Sequence, residues 1–150
     1  MIDAPLQPLL RAVLHPPAVL LARRGIGADA ISVAGFAVGL LAVPALALGW
    51  WSAALALILA NRILDGLDGA VARLHGPTDR GAFLDIALDF VFYALVPVGF
   101  ALADPTANAL PAAVLIAAFV GTGSSFLAFA AVAARRGTPP GRFRAKGIHY

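Results

Sequence analysis

Four long apolar stretches, separated by short polar segments, account for most of the chain. Ala30–Trp51 and Ala109–Ala134 contain no charged residue, and each is long enough to cross a bilayer. Ser52–Leu74 begins apolar and then becomes polar, and Gly81–Ala103 carries two aspartates near its start. The pattern therefore predicts an all-α membrane protein with four spanning helices that form a polytopic bundle.

The two ends of the chain have a different pattern. Residues 1–27 mix leucines with arginines and contain Pro16-Pro17, which we expect to interrupt the segment. Their positive charges come late, so an interfacial juxtamembrane helix is favoured over a signal peptide. Residues 135–150 form a basic tail. We expect residues 1–150 to form a single membrane domain.

The distribution of lysine and arginine predicts an orientation. These residues occur in the N-terminal segment, in the His75–Arg80 turn and in the tail, and they are missing from the turns near Trp50 and Pro105. By the positive-inside rule, both termini and the His75–Arg80 turn are cytoplasmic. We expect a multi-pass protein of a bacterial plasma membrane.

Composition supports this class. Of 150 residues, 61% are hydrophobic and 13% are charged, and the net charge is +3. In such a chain, basic residues indicate topology and lipid headgroup contact rather than nucleic-acid binding. Without cysteine there is no disulfide or thiolate chemistry. Gly35 and Gly39 form a G-x-x-x-G pair, which predicts close helix packing.

Four aspartates interrupt the second and third apolar stretches. Asp65 and Asp68 lie at i and i+3, and Asp85 and Asp89 lie at i and i+4, so each pair shares one helix face. At about 1.5 Å per residue, Asp65 and Asp89 both lie roughly 20 Å from the non-cytoplasmic turns near Trp50 and Pro105. The other two lie about one turn closer to the cytoplasm. We therefore expect the pairs to face each other on antiparallel helices.

Clustered carboxylates repel one another unless cations bind them. Oxygen ligands favour Mg²⁺, Mn²⁺ or Ca²⁺, and two such ions about 3.5–4 Å apart can activate both ends of a phosphoryl displacement. Bare backbone at Gly66 and Gly69 would let a ligand approach the helix. In the structural alternative, Asp65 pairs with Arg62, and Asp68 pairs with Arg73 or Arg80.

The same residues resemble the signature of the CDP-alcohol phosphotransferase family, D-x-x-D-G-x-x-A-R followed by G-x-x-x-D-x-x-x-D. All eight fixed positions are present: Asp65, Asp68, Gly69, Ala72, Arg73, Gly81, Asp85 and Asp89. Members of this family transfer a phosphoalcohol group, commonly phosphatidyl from CDP-diacylglycerol, to a second alcohol and release CMP. The resemblance therefore implies a metal-dependent transferase of phospholipid synthesis.

The resemblance also implies roles for individual residues. Two Mg²⁺ or Mn²⁺ ions would be bound by Asp65, Asp68, Asp85 and Asp89, and Asp89 would also take the proton of the acceptor. The CDP-alcohol would contact Asp68, Gly69, Ala72, Arg73 and Gly81. Independently of the resemblance, the positive charges of Arg135 and Arg142 in the basic tail would bind a phosphate of the acceptor, or else contact anionic lipid.

The sequence leaves two other functions open. Intramembrane aspartates also occur in small divalent-cation transporters, although here the outer half of every predicted span is uncharged. The family usually has six spans, whereas four are predicted here, so a truncated, non-catalytic lipid-binding fragment is the other alternative. The expected partners are a CDP-alcohol, an acceptor alcohol, the bilayer and a second copy in a homodimer, but no nucleic acid.

Overall fold

The structure is a computed structural model that describes residues 3–136. Within this range the chain is helical and contains no strand. Contacts divide it into two compact units, which meet in the sequence between Ile116 and Ala117. The first unit holds five helices and the start of a sixth, and the second holds the rest of the sixth. In chain order the helices are α1 (Asp3–Arg23), α2 (Ala28–Leu40), α3 (Ala42–Ala47), α4 (Trp51–His75), α5 (Asp79–Ala103) and α6 (Pro105–Arg135).

The all-α membrane class is confirmed. Three stretches are long and apolar enough to cross a bilayer by length and composition: Ala28–Ala47, Asp79–Ala103 and Pro105–Arg135. They correspond to the first, third and fourth predicted spans. The second predicted span corresponds to α4, which has 25 residues. This helix has the necessary length, but its polar residues set it apart from the other three.

The first predicted span is divided into two helices. Helix α2 ends at Leu40 and α3 begins at Ala42. Pro44 has no backbone N–H with which to bond the Leu40 carbonyl, so the regular helix is interrupted one turn before it. The span also ends before Trp50, which precedes α4.

Helix α1 continues through Pro16-Pro17, so the expected interruption there is wrong. Each proline removes only one helical hydrogen bond, and apolar packing supports the residues on either side. Ala18, fully buried, packs in one cluster with Ile31 of α2 and with Val71 of α4, also fully buried. Location of α1 at the membrane interface stays a prediction.

The predicted close packing at Gly35 and Gly39 is confirmed. A Cβ atom at Gly35 would lie 3.0 Å from the Leu64 Cβ, and one at Gly39 would lie 2.8 Å from the Phe92 ring. Helix α2 can approach both α4 and α5 because these two positions lack side chains. Since α4 and α5 contact each other much less than either contacts α2, polar side chains have room between them.

The turn between α4 and α5 forms as the sequence predicts. Gly76 ends α4 with a φ of 93°, which side-chain-bearing residues rarely adopt. The Thr78 hydroxyl then accepts a hydrogen bond of 3.0 Å from the Gly81 N–H and caps α5. Helix α6 begins four residues earlier than the predicted span, because Pro105 suits a first helical position and the Asp104 carboxylate accepts from the Ala107 N–H.

Candidate metal and substrate site

Three of the four aspartates, two on α4 and one on α5, form a group between these helices. One carboxylate oxygen from each of Asp65, Asp68 and Asp85 lies within 4.8 Å of the other two. Asp68 is buried, Asp65 is half-buried and Asp85 is exposed. The expectation that the two helices bring their carboxylates together is therefore confirmed for these three residues.

The spacing of these oxygens suits a divalent cation. Ligands at 2.0–2.1 Å in octahedral geometry lie at most about 4.2 Å apart, and Ca²⁺ allows about 5 Å. The three side chains would therefore need to move by less than about 1 Å to share one ion. Carboxylate oxygens are also the donors that Mg²⁺ and Mn²⁺ prefer. The residues present thus fit a metal of this class.

Asp89 lies at the same cavity but has other partners. Its Oδ1 accepts a hydrogen bond of 2.7 Å from Arg62 Nη2, and its Oδ2 accepts one of 2.9 Å from the Tyr93 hydroxyl. Both oxygens are therefore bonded to neighbouring side chains, and the group of three does not include this residue. Its expected roles as metal ligand and proton acceptor stay predictions.

The structural alternative, in which arginines pair with the aspartates, is observed only in part. Arg62 lies 3.6 Å from Asp65, as that alternative expected, but Arg80 pairs with Asp29 at 3.3 Å. Among residues 12–136, whose side chains the structure describes, no salt bridge joins Asp68 or Asp85 to a cationic side chain. Two neighbouring carboxylates without a counter-ion favour a bound cation over a purely structural cluster.

Helix α2 supplies part of the cavity, which sequence reasoning did not foresee. The cavity is lined by Ser32, Gly35, Phe36, Asn61, Asp65, Asp68, Asp85, Leu88 and Asp89. The Ser32 hydroxyl donates to the Ala28 carbonyl at 3.1 Å and lies beside the Asp68 carboxylate. The signal in the sequence was Ser32 itself, the single serine of the uncharged predicted span Ala30–Trp51.

Of the expected contacts for the CDP-alcohol, Asp68 belongs to this lining, whereas the other four lie outside it. A Cβ at Gly69 would meet only the Arg73 guanidinium, at 3.4 Å, so the backbone there is accessible beside an exposed arginine. Ala72, the residue before Arg73, is half-buried. Gly81 lies against Thr78 and Asp29, with distances of 3.1 and 3.2 Å to a Cβ built there.

Of two further expectations, the structure contradicts the one for Gly66 and does not test the one for the basic tail. Gly66 does not present bare backbone to a ligand, because a Cβ there would lie 2.9 Å from Leu14 of α1. Its missing side chain allows α1 and α4 to pack closely. Arg135 is exposed in the last turn of α6, within the second unit, whereas Arg142 lies outside the described residues. Their acceptor-binding role stays a prediction.

Comparison with known proteins agrees with the motif. Residues 26–146 match the family described as CDP-alcohol phosphatidyltransferase, and this range contains all four aspartates. The whole chain is 53% identical over 150 residues to a protein named "Inner membrane protein YnjF" from Escherichia coli strain K12, and it covers 73% of that relative. No solved structure matches. The chain belongs to the CDP-alcohol phosphatidyltransferase family.

Proposed function

We propose that this protein transfers a phosphatidyl group from CDP-diacylglycerol to a second alcohol and releases CMP, as a step of phospholipid synthesis. Membership of the family supports transfer of a phosphoalcohol group from a CDP-alcohol. The observation that carries the proposal is the three-carboxylate group of α4 and α5, which lies within the matched range. The apolar helices α2 and α5, which contribute residues to the cavity, suit a donor with acyl chains.

The three carboxylates would hold the metal. Asp65, Asp68 and Asp85 offer oxygen donors at suitable spacing, and we propose Mg²⁺ or Mn²⁺, two ions in all. When bound, such ions supply positive charge that offsets the negative charge of the diphosphate and of the departing CMP. The exposed Arg73 would bind a phosphate of the nucleotide, because a guanidinium pairs bidentately with phosphate oxygens.

Asp89 would serve the acceptor alcohol. The acceptor oxygen attacks the phosphorus that carries the diacylglycerol, its proton passes to an Asp89 oxygen, and the bond between that phosphorus and the CMP oxygen breaks. A carboxylate in this role contributes about 10²–10⁴-fold to the rate. Hydrogen bonds from Arg62 and Tyr93 keep the Asp89 carboxylate oriented. We place this site on the cytoplasmic side of the inner membrane, because lysine and arginine occur in both terminal segments and in the His75–Arg80 turn.

An assay of CMP release tests the proposal. Purified protein in detergent micelles with CDP-diacylglycerol and Mg²⁺ would be supplied in turn with glycerol phosphate, inositol phosphate and serine. We expect CMP release with one of these acceptors and its near-complete loss in Asp85→Asn. The matched control is Asp104→Asn, because asparagine can also cap α6. No CMP release with any acceptor, or equal rates in the two variants, would contradict the proposal.

A further inference from the structure

Arg62 lies outside the eight-residue motif, yet its guanidinium reaches two of the four aspartates. Its Nη2 lies 2.7 Å from an Asp89 oxygen, and its Nη1 lies 3.6 Å from an Asp65 oxygen. Its Nη1 also donates to the Tyr93 hydroxyl at 2.8 Å. One cation thus links the fourth aspartate to the edge of the three-carboxylate group.

The guanidinium is itself firmly placed. It lies 4.9 Å from the centroid of the Phe92 ring and 5.1 Å from that of Tyr93, distances at which a cation is attracted to an aromatic face. Asn61 Oδ1 accepts from its Nε at 2.9 Å and from its Nη2 at 2.6 Å. Asn61 is buried and donates in turn to the Gly35 carbonyl at 2.9 Å. Side chains and backbone of α2, α4 and α5 therefore fix one orientation.

Asp89 differs from the other three aspartates because of this arrangement. Arg62 bonds one of its oxygens and the Tyr93 hydroxyl bonds the other. A carboxylate paired with a guanidinium at this distance adds little net negative charge to its surroundings. The three-carboxylate group accordingly forms without it.

We propose that Arg62 is a positioning residue, which holds Asp89 apart from the three-carboxylate group and balances its charge. The consequence for turnover rests on the proposed function, in which Asp89 serves the acceptor alcohol. The consequence for cation binding does not depend on it. Without Arg62, Asp89 is free to turn toward the group and adds its negative charge there, so the group should bind a divalent cation more tightly.

Binding of Mn²⁺ to the purified protein without substrate, followed by electron paramagnetic resonance, tests this directly. Arg62→Met keeps the length of the side chain and removes its charge, and we expect the Kd for Mn²⁺ to fall at least about threefold. The gain should disappear when Asp89→Ala is added to Arg62→Met. The exposed Arg24 supplies the matched control, because Arg24→Met makes the same change of charge on the surface and should leave the Kd unchanged.

Turnover supplies the second measurement. Removal of a residue that orients a functional side chain typically lowers activity by about 10–100-fold. We therefore expect kcat for CMP release to fall by that factor in Arg62→Met. The KM for CDP-diacylglycerol should stay unchanged. Arg62→Lys, which keeps the charge, should recover part of the rate. A defect in folding would instead weaken Mn²⁺ binding and turnover together.

Tyr93→Phe keeps the test decisive if Arg62→Met does not fold, since only one hydroxyl is lost. We expect it to lower kcat several-fold at unchanged KM for CDP-diacylglycerol. Weaker or unchanged Mn²⁺ binding in a folded Arg62→Met, or full turnover in Tyr93→Phe, would overturn the proposal. If the wild-type protein releases no CMP, the proposed function fails, whereas the comparison of Mn²⁺ affinities still tests the role of Arg62.

Discussion

Replacement of Gly39 by alanine should disturb the site from a helix that carries none of the four aspartates. A Cβ at this position would lie 2.8 and 2.9 Å from two atoms of the Phe92 ring and 2.9 Å from the Asn61 amide nitrogen. Carbon atoms pack at about 3.5–4.0 Å, so the ring would have to retreat by about 0.7 Å. Phe92 is only 3% exposed and has little room to move.

The expected change in stability follows from two opposing terms. Overpacking of a tight interior costs about 1–3 kcal/mol, and alanine regains about 0.5–1 kcal/mol over glycine within a helix. We expect the overpacking to prevail at Gly39, with a net loss of about 1–2 kcal/mol. For a domain of this size that lowers Tm by about 2–8 °C. Because Phe92 and Asn61 both contact Arg62, turnover should fall as well.

Thermal unfolding of the purified protein in detergent measures this effect. Gly121→Ala is the matched control, since a Cβ there meets nothing within 4 Å and alanine should leave Tm equal or slightly higher. If Gly39→Ala melts at or above the temperature of the wild-type protein, the contact of α2 with Phe92 and Asn61 does not exclude a side chain at position 39. The reasoning would then be wrong.

Three further predictions concern topology and the roles of single residues. Cysteines introduced at Pro77 and Pro105 should label from opposite sides of the membrane, and labelling of both from outside would reverse the predicted orientation. Asp89→Asn should bind Mn²⁺ almost normally but lose about 10²–10⁴-fold in turnover, whereas loss of Mn²⁺ as severe as in Asp65→Ala would make Asp89 chiefly a ligand. Arg135→Ala should raise the KM of the acceptor and leave that of the CDP-alcohol nearly unchanged; equal effects on both, or none, would favour lipid contact.

Helical spacing accounts for the parts of the site that the sequence could predict. The intervals between Asp65 and Asp68 and between Asp85 and Asp89 place each pair on one face, and the turn at Gly76 connects the two helices. The glycine pair of α2 likewise predicted a close contact without naming its partner. These features depend on the spacing of residues along each helix, for which residue intervals are sufficient.

The features that sequence reasoning missed depend on which residue of another helix a side chain contacts. Spacing gives the face of a residue on its own helix, but it does not reveal which neighbour covers that face. Gly66 therefore suggested open backbone, whereas Leu14 of α1 covers it. Arg62 was considered as a partner of Asp65, whereas its shortest contact to a carboxylate is with Asp89 on α5. Ser32 of α2 at the cavity is a third such case.

The central claim is that a divalent cation held by Asp65, Asp68 and Asp85 is required to transfer the phosphatidyl group. Release of CMP from CDP-diacylglycerol, measured in excess EDTA and then after addition of Mg²⁺ or Mn²⁺, tests that claim most directly. We expect the release to stop in the chelator and to return with either ion, because carboxylates clustered this closely need a cation. Full release of CMP in the presence of EDTA would contradict the account.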